Sequence, residues 1–172
     1  YGINGALYLI IAHAIATGAL FLLVGLIHEQ TGFKTIKDLG GIAKKAPIFT
    51  FIFAVMLFAN IGLPGTNGFV SELLIIFGIY EFNHTLGYIS ALTVIIGASY
   101  MLWMFQRAIL QNRPEGSIEL KMRDLKIKEI LGLAPWVILV FLMGFYPEVF
   151  MNKFEPTVTH YLNDILQIGA TK

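Results

Sequence analysis

Two side chains in this sequence combine the means to carry a proton with a setting that seldom tolerates them. Glu72 ends the run Leu63-Pro-Gly-Thr-Asn-Gly-Phe-Val-Ser-Glu72, and the apolar stretch Leu73-Leu-Ile-Ile-Phe77 follows it. A carboxyl at that depth in membrane-length apolar sequence costs roughly 2.5–3.5 kcal/mol on insertion scales, so its presence points to a proton or ion pathway. His13 lies midway along another apolar run, with Thr17 one helical turn on. An imidazole, with an unperturbed pKa of about 6.5, gains and loses a proton near neutrality. Asn60, Ser71, Ser90, Thr93 and Ser99 can extend the pair into a hydrated polar file.

Plainer roles stand beside these. Glu72 comes five residues after Asn67, a candidate helix cap, where free N–H groups favour negative charge. That effect fades beyond the first turn and reaches at most ~2 kcal/mol. His13 can be a hydrogen-bonded structural histidine. Each Ser, Thr or Asn can be an interhelical hydrogen bond worth under ~2 kcal/mol. His28, Glu29, Glu81 and His84 fall near segment ends and read as interfacial. Apart from Arg107 at the end of one, no Lys or Arg lies inside an apolar segment, so a cation facing Glu72 is expected from sequence outside this chain or from another subunit.

The elements that must position these groups are apolar and helical. Five segments stand out: Ile3–Ile27, Pro47–Leu63, Phe69–Tyr80, Tyr88–Leu110 and Ile130–Phe150. The first is long enough for about 30 Å of hydrocarbon and is dotted with Gly and Ala, which let helices approach closely. Pro47 suits a first helical turn, where its missing N–H has no partner to lose. Phe69–Tyr80 reaches only about 18 Å at 1.5 Å per residue, too short to cross. Either the Pro64–Gly68 turn sits within the membrane or a helix is interrupted there and continues in a second piece. Short segments broken by Gly and Pro are a sequence pointer to transport sites. Ile36, Leu39 and Ile42 alternate with polar residues and suit a short interfacial helix. Tyr100, Trp103 and Phe105 read as an anchoring or packing stripe that ends in Arg107. Phe154–Ile168 is amphipathic and expected along the membrane surface.

Composition sets the class. Of 172 residues, 56% are hydrophobic and 13% charged, with mean hydropathy +0.72; soluble domains carry nearer a quarter charged. A net charge of +1 gives no reason to invoke nucleic acid. The absence of cysteine excludes disulfides and thiolate-held clusters or zinc within this chain. Tyr1 leads straight into apolar sequence with no charged stretch before it, as expected for a piece of a longer membrane protein rather than a signal peptide. If all five segments cross, Lys34, Lys37, Lys44, Lys45, Lys153 and Lys172 share one side. Arg107, Arg113, Lys121, Arg123, Lys126 and Lys128 then share the other, a tie that leaves orientation open.

Along nearly its whole length the chain resembles the antiporter-like membrane subunits of respiratory complex I. The likeness is carried by HAIATGALFLLVG at His13–Gly25, DLGGIAKKAP at Asp38–Pro47, GLPGTNGFVSELLIIFG at Gly62–Gly78, GASYMLWMFQR at Gly97–Arg107 and GFYP at Gly144–Pro147. Glu72, where sister subunits and related sodium/proton antiporters usually have lysine, favours the M-type branch. The resemblance implies an all-α membrane protein of about five transmembrane helices, one of them interrupted, within an inverted-repeat antiporter-like fold. Residues 1–110 would be four helices of the second repeat, 111–129 a charged loop, 130–152 the final core helix and 153–172 an amphipathic tail.

It further implies proton translocation in an NADH:quinone oxidoreductase, with Glu72 and His13 as the proton-transfer residues. NADH, FMN, Fe–S clusters and quinone would be bound by other subunits, leaving this chain without a cofactor or metal. Its partners would be neighbouring membrane subunits and lipid, its location a bacterial inner membrane. The loop after Arg107 would face the cytoplasm, with the Lys34–Lys45 connector opposite. A sodium/proton antiporter or membrane-bound hydrogenase subunit is the alternative.

Overall fold

The computed structural model describes residues 1–113 and 120–170. Helix α1 spans Gly2–Thr31, and its 30 residues give about 45 Å. After it come a 3₁₀ turn at Ile36–Asp38 and the single turn α2 at Ile42–Lys45. Then follow α3 (Pro47–Asn60), α4 (Asn67–Phe82) and α5 (His84–Phe105), the last extended by a π-helical turn at Gln106–Leu110. Helices α6 (Ile127–Phe145) and α7 (Glu148–Ala170) complete the described chain. Among the described residues, three helices are long and apolar enough to cross a membrane: α1, α5 with its π turn, and α6. The chain is a multi-pass membrane protein.

The interruption expected from Pro64–Gly68 is present, and its neighbours show what it divides. A Cβ on Gly2 would approach Gly78, one on Gly5 would meet Leu74 and Ile75, and Asn67 reaches Ala12. Numbers rise along α1 as they fall along α4, so the two are antiparallel, with α4 on the first half of α1. The second half, from Ala16 to Ile27, shares its core with Phe49, Phe53 and Met56 of α3. Helices α3 and α4, about 21 and 24 Å long, thus lie end to end along α1. Counted as helices, α1, α3, α4, α5 and α6 make five; counted as crossings, α3 and α4 together make one.

That arrangement corrects the sidedness expected from sequence. The start of α3 is tied to the segment after the π turn: Asp124 accepts from the Ile48 and Phe49 N–H groups at 3.0 and 2.9 Å. Lys45 donates to the Leu120 carbonyl at 2.7 Å, and the Arg123 N–H reaches Gln30, at the end of α1, at 3.0 Å. The connector at 32–46 and the loop beyond Arg107 therefore lie on the same face, not opposite ones. The even split of cations dissolves, because it assumed that α3 and α4 each cross.

Local boundaries also shift. Gly40 and Gly41, at φ 129° and 70°, split the expected interfacial helix into two turns. The final span ends at Phe145 rather than 152, because Pro147 disfavours helical backbone at the residue before it. Helix α7 then begins at Glu148 and packs Phe150, Met151 and Phe154 near Tyr8 and Met143. Phe105 is buried and stacked on Phe53 at 5.9 Å, so of the anchoring and packing roles open to it from sequence it takes the packing one.

Candidate functional site

Four helices converge at the break. The α3 helix ends at Asn60, Gly62 takes φ 70°, and α4 restarts at Asn67. The two halves are pressed together by small residues: a Cβ on Gly68 would lie 2.1 Å from the Ala59 carbonyl oxygen. From α6, Gly144 closes on the same loop, where a Cβ would come 2.1 Å from the Gly65 carbonyl oxygen. Tyr8 of α1 adds a buried 2.6 Å hydrogen bond to the Met143 carbonyl beside it. This hydroxyl was not legible as important, since a tyrosine in a long apolar run has no distinguishing neighbour.

Glu72 lies one turn beyond Gly68 and so faces the break. Its carboxyl fills the space that a side chain at Gly62 would need, with Oε2 2.4 Å from the ideal Cβ position. Glu72 is half-buried. Among the described residues no cation forms an ion pair with it. The helix-start role is weakened by the observed boundary. The cap is Thr66, Asn67 is already the first helical residue, and Glu72 falls in the second turn. Asn67 is instead fully buried, its Nδ2 3.4 Å from the Ala12 carbonyl and its Oδ1 without a partner among the described residues.

Glu72 and His13 line the same cavity, a space of about 530 Å³ between α1, the break, α4 and α5. His13 Nε2 lies 3.2 Å from Thr17 Oγ1, inside the reach over which protons pass along hydrogen bonds. Thr17, Asn60, Ser90 and Thr93 also line it. Of the residues expected to form a polar file, two stand apart. Ser71 is buried and donates within its own helix to Gly68, and Ser99 donates back to Ile95. Tyr100, read from sequence as an anchoring or packing residue, lines the cavity as well. The lining groups are hydroxyls, an amide, an imidazole and a carboxyl amid aliphatic side chains. Such a set can hold a short chain of water and pass protons between fixed donors and acceptors.

A second space of about 700 Å³ shares Ile75, Ile79, Ser90 and Thr93 with the first and extends to Gly2, Gly78 and Phe82. This second space lies toward the end of α4, away from the lysine-rich connector. Among the described residues no three His, Cys, Asp or Glu side chains come together as metal ligands.

Comparison with known proteins gives this geometry a lineage. Residues 1–99 match the family described as NADH:quinone oxidoreductase/Mrp antiporter, transmembrane. NADH-quinone oxidoreductase subunit M of Rickettsia bellii is 36% identical over 94% of this chain and 32% of its own length. NADH-ubiquinone oxidoreductase chain 4 of Marchantia polymorpha is also 36% identical, over 92% of this chain and 32% of its own. A chain of respiratory complex I from Thermus thermophilus with bound NADH superposes with a TM-score of 0.78 at 34% identity, covering 89% of this chain and 32% of that one. The chain spans about a third of the length of the curated relatives it matches.

Proposed function

Because this chain belongs to the NADH:quinone oxidoreductase/Mrp antiporter transmembrane family, we propose that it acts in a proton-translocating membrane subunit of an NADH:quinone oxidoreductase. Redox chemistry takes place in other subunits, which hold NADH, FMN, Fe–S clusters and quinone. This part converts their signal into protonation changes. Glu72 takes up and releases the proton. His13, with Thr17, relays it from the membrane interior, and Asn60, Ser90 and Thr93 hold the intervening water. The break at 61–66 leaves room for the carboxyl to turn. The subunit packs against other membrane subunits of the complex, and its place is a bacterial inner membrane.

One observation carries the reading: an acid with no cation paired to it among the described residues sits on the broken point of a membrane-length helix and shares a polar cavity with a histidine. Discontinuous helices place ion and proton sites at such breaks. The family description also names an antiporter, which supports a second reading as part of a cation/proton exchanger. Sodium-dependent transport without NADH oxidation distinguishes that case.

The test is Glu72→Gln in the complete complex. The variant is expected to assemble and to translocate fewer protons per electron than wild type. Unchanged stoichiometry would remove Glu72 from the mechanism.

A further inference from the structure

A separate cavity of about 590 Å³ lies where α5 leaves its apolar span, between the 3₁₀ turn and the π turn. Lys37 and Arg107 both line it, and neither has an ion-pair partner among the described residues. The nearest acid in sequence, Asp38, accepts a 2.5 Å hydrogen bond from Thr35. Arg107 is held 4.9 Å over the Trp103 ring, which orients a cation at the depth where indoles and headgroups meet. The π turn, closed by Gln111 N–H to the Gln106 carbonyl at 2.7 Å, brings the Gln111 and Asn112 amides to the same cavity.

On the other side of Ile36 and Leu39 lies a mostly apolar space of about 510 Å³, with Phe21, Val24 and Met104 among its walls. A cationic recess and an apolar groove thus share one partition. We propose that this pair of cavities binds one anionic phospholipid, its phosphate on Lys37 and Arg107 and an acyl chain along the groove. Charge and position favour a lipid over a free anion. The recess stands on the face that gathers the chain's Lys and Arg residues, and a soluble anion would have no use for the apolar half. Guanidinium forks suit phosphate oxygens, and an ammonium adds a second point charge.

The intact protein, reconstituted in phosphatidylcholine vesicles with a trace of diazirine-bearing phosphatidylglycerol, tests this directly. Photolabelling should map to peptides holding residues 35–39 or 103–112. It should fall about tenfold or more in Lys37→Gln/Arg107→Gln and by about threefold or more in each single variant. The charge-conserving pair Lys37→Arg/Arg107→Lys should keep most of it, and added inorganic phosphate should not compete. Labelling indifferent to both Gln substitutions, equal labelling by a phosphatidylcholine analogue, or full competition by phosphate would each overturn the assignment.

Discussion

The carboxyl of Glu72 and the bare backbone of Gly62 occupy complementary volumes, and each constrains what the other can become. Gly62 combines φ 70° with a Cβ position already taken by Glu72 Oε2. Gly62→Ala therefore adds backbone strain of roughly 1–3 kcal/mol and forces the acid from its seat. The expected outcome is lower protein yield and altered proton translocation. Gly62→Ala combined with Glu72→Asp should recover part of the loss, because the shorter acid vacates the space. A double variant no better than Gly62→Ala alone would show that the two do not share that volume. For His13→Ala the expectation is normal assembly with slower proton translocation; an unchanged rate would leave His13 a structural residue. Both titratable residues were legible in the sequence, since a carboxyl and an imidazole in apolar runs are conspicuous. Gly62 was not, because a glycine announces flexibility without saying which side chain uses the room.

At the scale of elements, the broken crossing depends on contacts far apart in sequence. Asp124 supplies the first turn of α3 with a carboxylate acceptor from 75 residues away, bonding Phe49 N–H, and also accepts from Leu125 N–H. Burial pushes the Asp124 carboxyl up, but its backbone donors at Ile48, Phe49 and Leu125 outweigh that and hold it below the ordinary aspartate value. A lowered folded-state pKa contributes stability that is present above the unfolded value of about 4. That contribution is lost as pH falls through the folded value. Asp124→Ala should cost about 1 kcal/mol, the typical worth of a helix cap. Thermal unfolding of the intact protein should show that gap at neutral pH and a narrowing gap in acid. A gap constant from neutral to acid pH would contradict the cap. The helices themselves were readable from apolar runs and from Pro47, although the stop before Pro147 was not. The end-to-end placement of α3 and α4 was not, since it rests on pairings such as Asn67 with Ala12 that no local pattern encodes.

For the molecule as a whole, four crossings put the connector and the loop beyond Arg107 together. Lys34, Lys37, Lys44, Lys45, Arg107, Arg113, Lys121, Arg123, Lys126 and Lys128 then share a face, and Lys153 of α7 lies on the other. In the proposed bacterial membrane, the excess of cations in cytoplasmic loops predicts that the crowded face is the cytoplasmic one. Single-cysteine variants at Lys37 and Lys121, probed with a membrane-impermeant maleimide, should label from the cytoplasm, and one at Lys153 from the opposite side. Labelling of Lys37→Cys and Lys121→Cys from different sides would break this topology. The proposed proton path stands on Glu72, at the cavity beside the break, changing protonation state. Infrared difference spectra of the intact complex, recorded across a pH titration in H₂O and D₂O, read that event at the bond. A protonated-carboxyl C=O band that shifts in D₂O and disappears in Glu72→Gln is the predicted result; a spectrum unchanged by that substitution would contradict it.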